Sequence, residues 1–145
     1  MTSFSIQKLR QQYSKHLDKS VLVRGWIRSV RKHRHCSFIE LNDGSGHRNL
    51  QLLVEGPLSE SLSVGCSITA QGVVKTCPVK HKGTETGETD VELHTQHIDL
   101  VGSCDAAKYP LAKKYHTLEH LRNHLHLRAR TSTFGAVARV RNALR

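Results

Sequence analysis

Three short β-type runs follow one another between residues 21 and 54, and their close spacing strongly limits the folds open to this chain. The runs occupy residues 21–27, 37–41 and 50–54 and are rich in apolar and β-branched residues. A cationic connection at residues 28–35 joins the first two, and a polar turn at residues 42–46 joins the second and third. The pattern predicts a mainly β chain with a basic loop beside adjacent strands.

Two further β-type runs are predicted at residues 67–74 and 91–101. In the second of them the alternation of apolar and polar residues breaks at Gln96, which indicates a β-bulge. Residues 75–90 between the two runs are rich in Lys, Gly, Thr and Glu and are predicted to form a long mobile loop. Residues 57–62 are predicted as a short helix or turn.

Helical patterns flank the strands. Residues 5–16 carry apolar residues at helical spacing after Ser5, a candidate N-cap. A short helix is predicted at residues 117–124, and a last helix is predicted from Thr131 or Ser132 to the end of the chain. Five strands with these helices fit a five-stranded Greek-key OB-fold barrel with a short N-terminal helix and a C-terminal helical extension. The strand count alone would also allow another small barrel.

The chain is strongly basic. Lys and Arg number 22 against 12 Asp and Glu, so the formal net charge is +10. This charge is typical of a protein with a polyanionic partner, nucleic acid before membrane, but charge alone does not decide between that and a merely solvated basic surface. No apolar run approaches the ~20 residues that span a bilayer, and we expect no membrane partner.

Cysteine and histidine patterns give little support for a metal. No two of the four cysteines are spaced as C-x-x-C, and we expect reduced thiols. His116, His120 and His124 recur at helical spacing, but no Cys, Asp or Glu is clearly placed to complete a ligand set. We therefore predict no metal site. No arrangement of a nucleophile and a base is supported by the spacing of the residues, so we also predict no catalytic residue.

Phe38 is the leading candidate for a binding residue. Alternation places Phe38 and Glu40 on one face of the second strand and the core-type residues Ile39 and Leu41 on the other. An outward Phe38 is available to stack on a base, whereas the alternative is a core phenylalanine. Glu40, on the same face, is a further candidate for reading a base.

Gln51 lies on the adjacent strand, and its amide offers both a donor and an acceptor, which suits a uracil edge. The alternative is a solvent-facing glutamine. Basic side chains of the first connection are candidates for phosphate contacts, which position a nucleic acid without reading its sequence. These side chains are Arg28, Lys32 and Arg34, the neighbours of Arg31.

Two separated blocks of motifs resemble one family in order and spacing. The first contains Gly-Trp-Ile-Arg at 25–28, Phe-Ile-Glu-Leu-Asn-Asp-Gly-Ser at 38–45 and Asn-Leu-Gln at 49–51. The second contains Tyr-Pro-Leu at 109–111, Lys113, Arg-Thr at 130–131 and Phe-Gly-Ala-Val at 134–137. Together they resemble the N-terminal anticodon-binding domain, hinge and first catalytic-domain helix of asparaginyl-tRNA synthetases. Aspartyl and lysyl enzymes share a looser version.

The resemblance implies an OB-fold domain at residues 1–102, a hinge at 103–130 and a truncated first helix of the catalytic domain at 131–145. It implies that tRNA is the partner, read at the anticodon stem-loop. Phe38 corresponds to the aromatic residue that stacks on the central uridine, Gln51 to the glutamine that reads the same base, and Arg31 to an arginine of the first loop. Trp26 is expected to pack.

The resemblance also implies what this chain does not do alone. ATP, magnesium and asparagine would bind in a catalytic domain absent here, so we expect no cofactor and no tRNA charging. A homodimer is expected for the full-length family but not for this chain, in which the apolar face of the last helix is expected to fray or associate non-specifically. A stand-alone single-stranded nucleic-acid-binding OB protein and an aspartyl-type domain are the alternatives.

The sequence allows two cellular compartments for this protein. We expect a cytoplasmic protein. Residues 1–17 contain no acidic side chain and several Ser, Lys and Arg residues, which is also compatible with a mitochondrial transit peptide. Their helical pattern leads directly into the first strand, which favours a segment that belongs to the domain. The mitochondrial matrix is the alternative location.

Overall fold

The computed structural model describes residues 3–78, 89–111 and 114–145. The strands are β1 (Ser3–Phe4), β2 (Ser20–Lys32), β3 (Cys36–Asn42), β4 (Leu50–Glu55), β5 (Ser67–Pro78) and β6 (Thr89–Gly102). The helices are α1 (Ile6–Gln11), α2 (Tyr13–His16), α3 (Leu118–Asn123) and α4 (Ser132–Ala143), with a 3₁₀ turn at Arg128–Arg130 before α4. The predicted mainly β class is confirmed.

Strand β2 closes the barrel because it has two main antiparallel partners. Its first half, from Ser20 to Trp26, pairs with β5, and its second half, from Trp26 to Lys32, pairs with β3. Strand β4 pairs antiparallel with β3 and parallel with β6, and β6 pairs antiparallel with β5. The strands β2 to β6 therefore form the closed five-stranded OB barrel that the sequence predicts.

The predicted cationic loop at residues 28–35 is largely wrong, because β2 continues to Lys32. A register irregularity between Ile27 and Ser29 bends the strand, and after it Ser29 is buried while Val30 packs against the core. Inward residues therefore keep the strand paired through the basic run. The connection shrinks to residues 33–35, closed by a hydrogen bond from the His33 amide to the Cys36 carbonyl at 2.9 Å.

The predicted loop at residues 75–90 is also shorter than expected. Strands β5 and β6 stay paired from Ser67 opposite Gly102 to Pro78 opposite Thr89. The remainder of the loop, residues 79–88, lies outside the described residues. Between β4 and β5, residues 57–62 form a turn rather than a helix, and Leu62 from this segment is buried.

The core fills the barrel with the inward side chains of all five strands, and α1 adds Ile6 and Leu9 to it. The predicted helix at residues 5–16 is divided at Gln12 into α1 and α2, and Ser5 caps α1 by accepting a hydrogen bond from the Lys8 amide. The turn after β3 also holds α1, since Asp43 Oδ2 accepts the Ile6 amide at 2.8 Å. The turn at residues 42–46 thus fixes the helix against the barrel.

The predicted bulge at Gln96 is confirmed. Gln71 pairs with His97 and Gly72 pairs with Thr95, so Gln96 is the extra residue of β6. Gly72 lies beside this bulge, and a Cβ atom there would stand 2.2 Å from the His94 carbonyl oxygen. The close approach of two backbones explains why glycine occupies this position.

Substitution of Gly72 by alanine is expected to lower the free energy of unfolding by at least about 2 kcal/mol, because rigid backbone must move to admit the methyl group. Gly46→Ala is the matched control, since its Cβ would meet nothing closer than Gln7 Cβ at 3.5 Å. Urea unfolding of both variants measures the difference. Equal unfolding midpoints would contradict the assignment of Gly72 as a position of obligatory close approach.

The C-terminal segment matches the sequence in outline. Thr117 caps α3 by accepting a hydrogen bond from the His120 amide, whereas Thr131 occupies the N-cap position of α4 with its hydroxyl donating to the Arg128 carbonyl at 2.6 Å. On α4, Val137 and Val140 are exposed, and Leu144 just beyond it is 82% exposed, so no described residue covers this apolar face. Fraying of residues 134–145 stays a prediction. None of the described helices is long and apolar enough to cross a membrane.

Candidate nucleic-acid interface

The outer surface of β2, β3 and β4 brings four of the predicted site residues together. Phe38 pairs with Arg31 across β3 and β2, and Glu40 pairs with Gln51 across β3 and β4. Because Ile39 and Leu41 point into the core, Phe38 and Glu40 lie half-buried on the opposite face, as the alternation predicts. We call Phe38, Arg31, Glu40 and Gln51 the base-reading face, after the role that the sequence predicts for them.

The neighbours of Phe38 cover only part of the surface of its aromatic ring. The His33 ring approaches it edge-on, with a centroid distance of 5.6 Å and an interplanar angle of 86°. The Arg31 guanidinium lies 5.8 Å from the ring centroid, near the outer limit for a cation–π contact. A base that stacks on Phe38 therefore displaces little existing interaction.

The Gln51 amide is held at both ends. Its Oε1 accepts from Arg31 at 3.1 Å, and its Nε2 donates to Glu92 Oε2 at 2.9 Å. An amide has two N–H donors and two acceptor lone pairs, so one of each remains for a ligand. Gln51 is thus an oriented donor–acceptor pair rather than a freely rotating solvent-facing side chain.

Glu92 was missed from the sequence because it joins the site through the parallel pairing of β4 with β6. The signal available was its position between the inward residues Val91 and Leu93, which places it on the outer face. Glu92 also contacts His94 Nε2 at 2.9 Å. The parallel partner of a strand cannot be read from local alternation, so the contact with Gln51 was not predictable.

Glu40 is tied to the turn that follows β3. Its Oε2 accepts from Asn49 at 3.3 Å, and Asn49 Oδ1 accepts from Asn42 at 2.9 Å. Glu40 Oε1 also lies 3.8 Å from the Arg31 guanidinium. Together with Glu92, it gives the base-reading face two carboxylates, which repel phosphates and accept hydrogen bonds from the amino and imino groups of bases.

The basic residues proposed for phosphate contacts separate into two groups. Lys32 and Arg34 are exposed at the end of β2 and in the following connection, near His33 and therefore near Phe38. Arg28 does not join them. Its guanidinium donates a hydrogen bond to the Arg130 carbonyl, and burial lowers its pKa from the ordinary value.

Trp26, which the sequence predicts to pack, lies outside the barrel core and is exposed. Its ring is 42% exposed and lies beneath the Arg130 guanidinium, 4.7 Å from the ring centroid. The prediction did not anticipate that Trp26 would help form a groove of about 330 Å³ between the barrel and the C-terminal segment. The groove, which we call the arginine groove, is lined by Trp26, Arg28, Asn42, His47, Arg130 and Arg139 among others.

Three histidines of the C-terminal segment bring their rings into contact, and one of the two ring pairs is stacked. The His116 and His120 rings are 5.0 Å apart and nearly parallel, and the His120 and His124 rings are 4.7 Å apart. Within residues 3–78, 89–111 and 114–145, no three His, Cys, Asp or Glu side chains are grouped to hold a metal ion. The four cysteines are free thiols.

Comparisons with known proteins place this geometry among characterised relatives. Residues 21–101 match the tRNA anti-codon family, described as an OB-fold nucleic acid binding domain. Asparagine–tRNA ligase of Rhodopirellula baltica is 41% identical over 138 residues, which are 90% of this chain and 27% of that protein. Cytoplasmic asparagine–tRNA ligase 1 of Arabidopsis thaliana is 44% identical over 131 residues, which are 87% of this chain and 22% of that protein.

Solved structures agree on the fold. Asparaginyl-tRNA synthetase of Pyrococcus horikoshii, complexed with asparaginyl-adenylate, superposes with a TM-score of 0.73 at 18% identity. The superposition covers 99% of this chain and 32% of that one. The chain therefore spans about a fifth to a third of the length of these relatives.

Proposed function

The chain belongs to the tRNA anti-codon family of OB-fold nucleic acid binding domains, in the form found in asparagine–tRNA ligases, and from this premise we propose that it binds the anticodon loop of a tRNA and reads its central uridine. The observation that carries the proposal is that a half-buried Phe38 and an oriented Gln51 amide lie on the same outer face of the neighbouring strands β3 and β4. One supplies a stacking platform, and the other supplies a donor and an acceptor for a uracil edge.

The distribution of charge around this site supports separate roles for its basic and acidic side chains. Arg31 holds Gln51, and the exposed Lys32 and Arg34 supply positive charge beside the stacking ring. These cations attract the sugar–phosphate backbone without reading sequence, whereas the carboxylates of Glu40 and Glu92 accept hydrogen bonds from bases. Arg31 therefore acts mainly by positioning Gln51, and Lys32 and Arg34 act on affinity.

The chain matches only part of the relatives' length, and their remaining activity is expected to depend on the part that it does not match. Asparagine, ATP and magnesium would bind in a catalytic domain, and the homodimer would form there, so the chain alone binds tRNA without charging it. We propose a cytoplasmic location, with the mitochondrial matrix as the alternative; the likeness to a ligase described as cytoplasmic supports the first.

Binding to anticodon stem-loops tests the proposal. We expect stem-loops with GUU and GUC anticodons to bind more tightly than a GAU stem-loop at fixed salt, because we propose that the oriented Gln51 amide matches the edge of uracil better than the edge of adenine. A GUU preference over GUC would support asparagine identity, and the reverse would support aspartate identity. Equal affinity for all three would reduce the chain to a sequence-independent single-strand binder and overturn the proposed specificity.

Substitution of Gln51 by alanine is expected to reduce the preference for central uridine by about fivefold, the loss of one hydrogen bond of average strength. Gln11, an exposed glutamine at the end of α1, provides the matched control, and Gln11→Ala is expected to leave the preference unchanged. Fluorescence anisotropy of labelled stem-loops measures both. An unchanged uridine preference in Gln51→Ala would remove Gln51 from the reading of that base.

A further inference from the structure

The arginine groove differs in charge from the base-reading face. Its lining includes Arg28, Arg130, Arg139 and His47, together with the Trp26 ring, and no carboxylate. In the described part of the chain, none of the three arginines forms an ion pair with an acidic side chain. The groove therefore concentrates positive charge in a concave, partly dehydrated site, where an anion is held more strongly than on an open surface.

The contacts of the arginines orient them without neutralising them. Arg139 donates to the carbonyls of Gly44, Gly46 and Gly135 at 2.8–3.3 Å, and Arg28 donates to the Arg130 carbonyl. Neutral carbonyls fix a guanidinium in place but leave its charge uncompensated, and each guanidinium keeps further N–H donors. A preorganised set of this kind is well suited to oxygen-rich anions.

The lowered pKa of Arg28 agrees with a groove that is suited to an anion. Burial is the main cause that lowers its pKa, and the nearby positive charge of Arg130 lowers it further, while Tyr109 and Glu40 act in the opposite direction. Desolvation of the Arg28 cation thus outweighs the stabilisation from Tyr109 and Glu40, and further negative charge nearby would stabilise the cation. An anion bound in the groove would supply that charge.

We propose that the arginine groove binds a phosphate group. This inference extends the proposed function, since the RNA backbone is the source we favour. Asn42 in the groove lies four residues beyond Phe38 on β3, about 14 Å along an extended strand. The phosphate would therefore belong to a nucleotide well removed from the base on Phe38, and the groove would fix the direction in which the RNA leaves the base-reading face.

Tryptophan fluorescence can report binding in the groove, because Trp26 is the only tryptophan of the chain and lines the groove. The intact chain is titrated with inorganic pyrophosphate at constant ionic strength while tryptophan fluorescence is recorded. We expect a saturable change that potassium chloride at matched ionic strength does not produce. The absence of a saturable change would overturn the proposal.

Variants that remove a positive charge test whether the fluorescence response arises in the arginine groove. Arg28→Gln and Arg139→Gln are each expected to weaken pyrophosphate binding by about tenfold, the loss of one charge-assisted hydrogen bond. Arg122→Gln is the matched control, because Arg122 is exposed on α3 and does not line the groove. If Arg139→Gln proves unstable by circular dichroism, Arg139→Lys keeps the charge and is expected to keep most of the binding. Equal weakening in Arg122→Gln would contradict a site in the groove.

Competition separates the two sources of phosphate. If the RNA backbone is the ligand, an anticodon stem-loop suppresses the pyrophosphate response, and Arg139→Gln lowers the salt slope of RNA binding by about one while the central-base preference stays the same. If RNA and pyrophosphate bind independently, the groove is a site for a free phosphate compound. Loss of the uridine preference with an intact pyrophosphate response would contradict the proposed function but not the groove.

Discussion

Replacement of Phe38 by alanine is expected to weaken binding of a central-uridine stem-loop by about 1–3 kcal/mol, which is roughly 5- to 150-fold in Kd. The ring lies half-buried on the outer face of β3, and its contacts with Arg31 and His33 leave it available for stacking. Because the inward neighbours Ile39 and Leu41 carry the packing, the substitution is expected to cost little stability.

Two further variants make this result interpretable. Phe134→Ala removes the same side chain from α4, where the ring contacts Arg128 rather than the base-reading face, and is expected to leave binding unchanged. Phe38→Tyr keeps the aromatic surface and is expected to retain most of the affinity. Anisotropy titrations at one salt concentration compare the three variants. If Phe38→Ala loses no more affinity than Phe134→Ala, the ring is not a stacking platform.

Replacement of Leu52 by alanine is expected to lower the free energy of unfolding by about 2–5 kcal/mol. Leu52 is fully buried on β4, where it pairs with Ile39 of β3 and Leu93 of β6, which are fully buried too. The truncation therefore opens a cavity at the centre of the barrel, among strands that cannot easily move together. In thermal unfolding, the loss is expected to lower Tm by about 10 °C or more.

The neighbouring leucine of the same strand is the control. Leu53 points to the opposite face of β4 and is only half-buried, so Leu53→Ala removes the same atoms from a partly hydrated site. We expect it to cost less than half as much stability as Leu52→Ala. Comparable losses in both variants would contradict the inward and outward assignment of β4, and with it the outward orientation of Gln51.

Alternation along single strands was sufficient to predict much of the base-reading face. Apolar residues at positions 39 and 41 required Phe38 and Glu40 to point outward, and the break at Gln96 marked a bulge that the strand pairing contains. These predictions succeeded because the two faces of each strand meet different environments, one dry and one wet. The resemblance to asparaginyl-tRNA synthetases predicted the OB barrel, and the strand pairing and family match agree with it.

Features that depend on distant parts of the chain escaped the sequence analysis. Basic residues after Ile27 suggested a loop, but Ser29 and Val30 keep β2 paired beyond the bulge, so Arg31 and Lys32 lie on a strand. The Glu92 contact requires the parallel pairing of β4 and β6. The arginine groove requires the C-terminal segment to return to the barrel, which no local pattern in residues 128–139 indicates.

The shared strand β2 also has a kinetic consequence. Its first half pairs with β5, and Ser20 pairs with Val73. Val73 is synthesised about 50 residues after Ser20, which takes roughly 3–10 s on a translating ribosome. Until β5 emerges, the earlier strands expose unpaired backbone along that edge. Barrel closure by such distant pairings is expected to be slow, on the order of milliseconds to seconds, and the nascent chain would be most prone to aggregate during that interval.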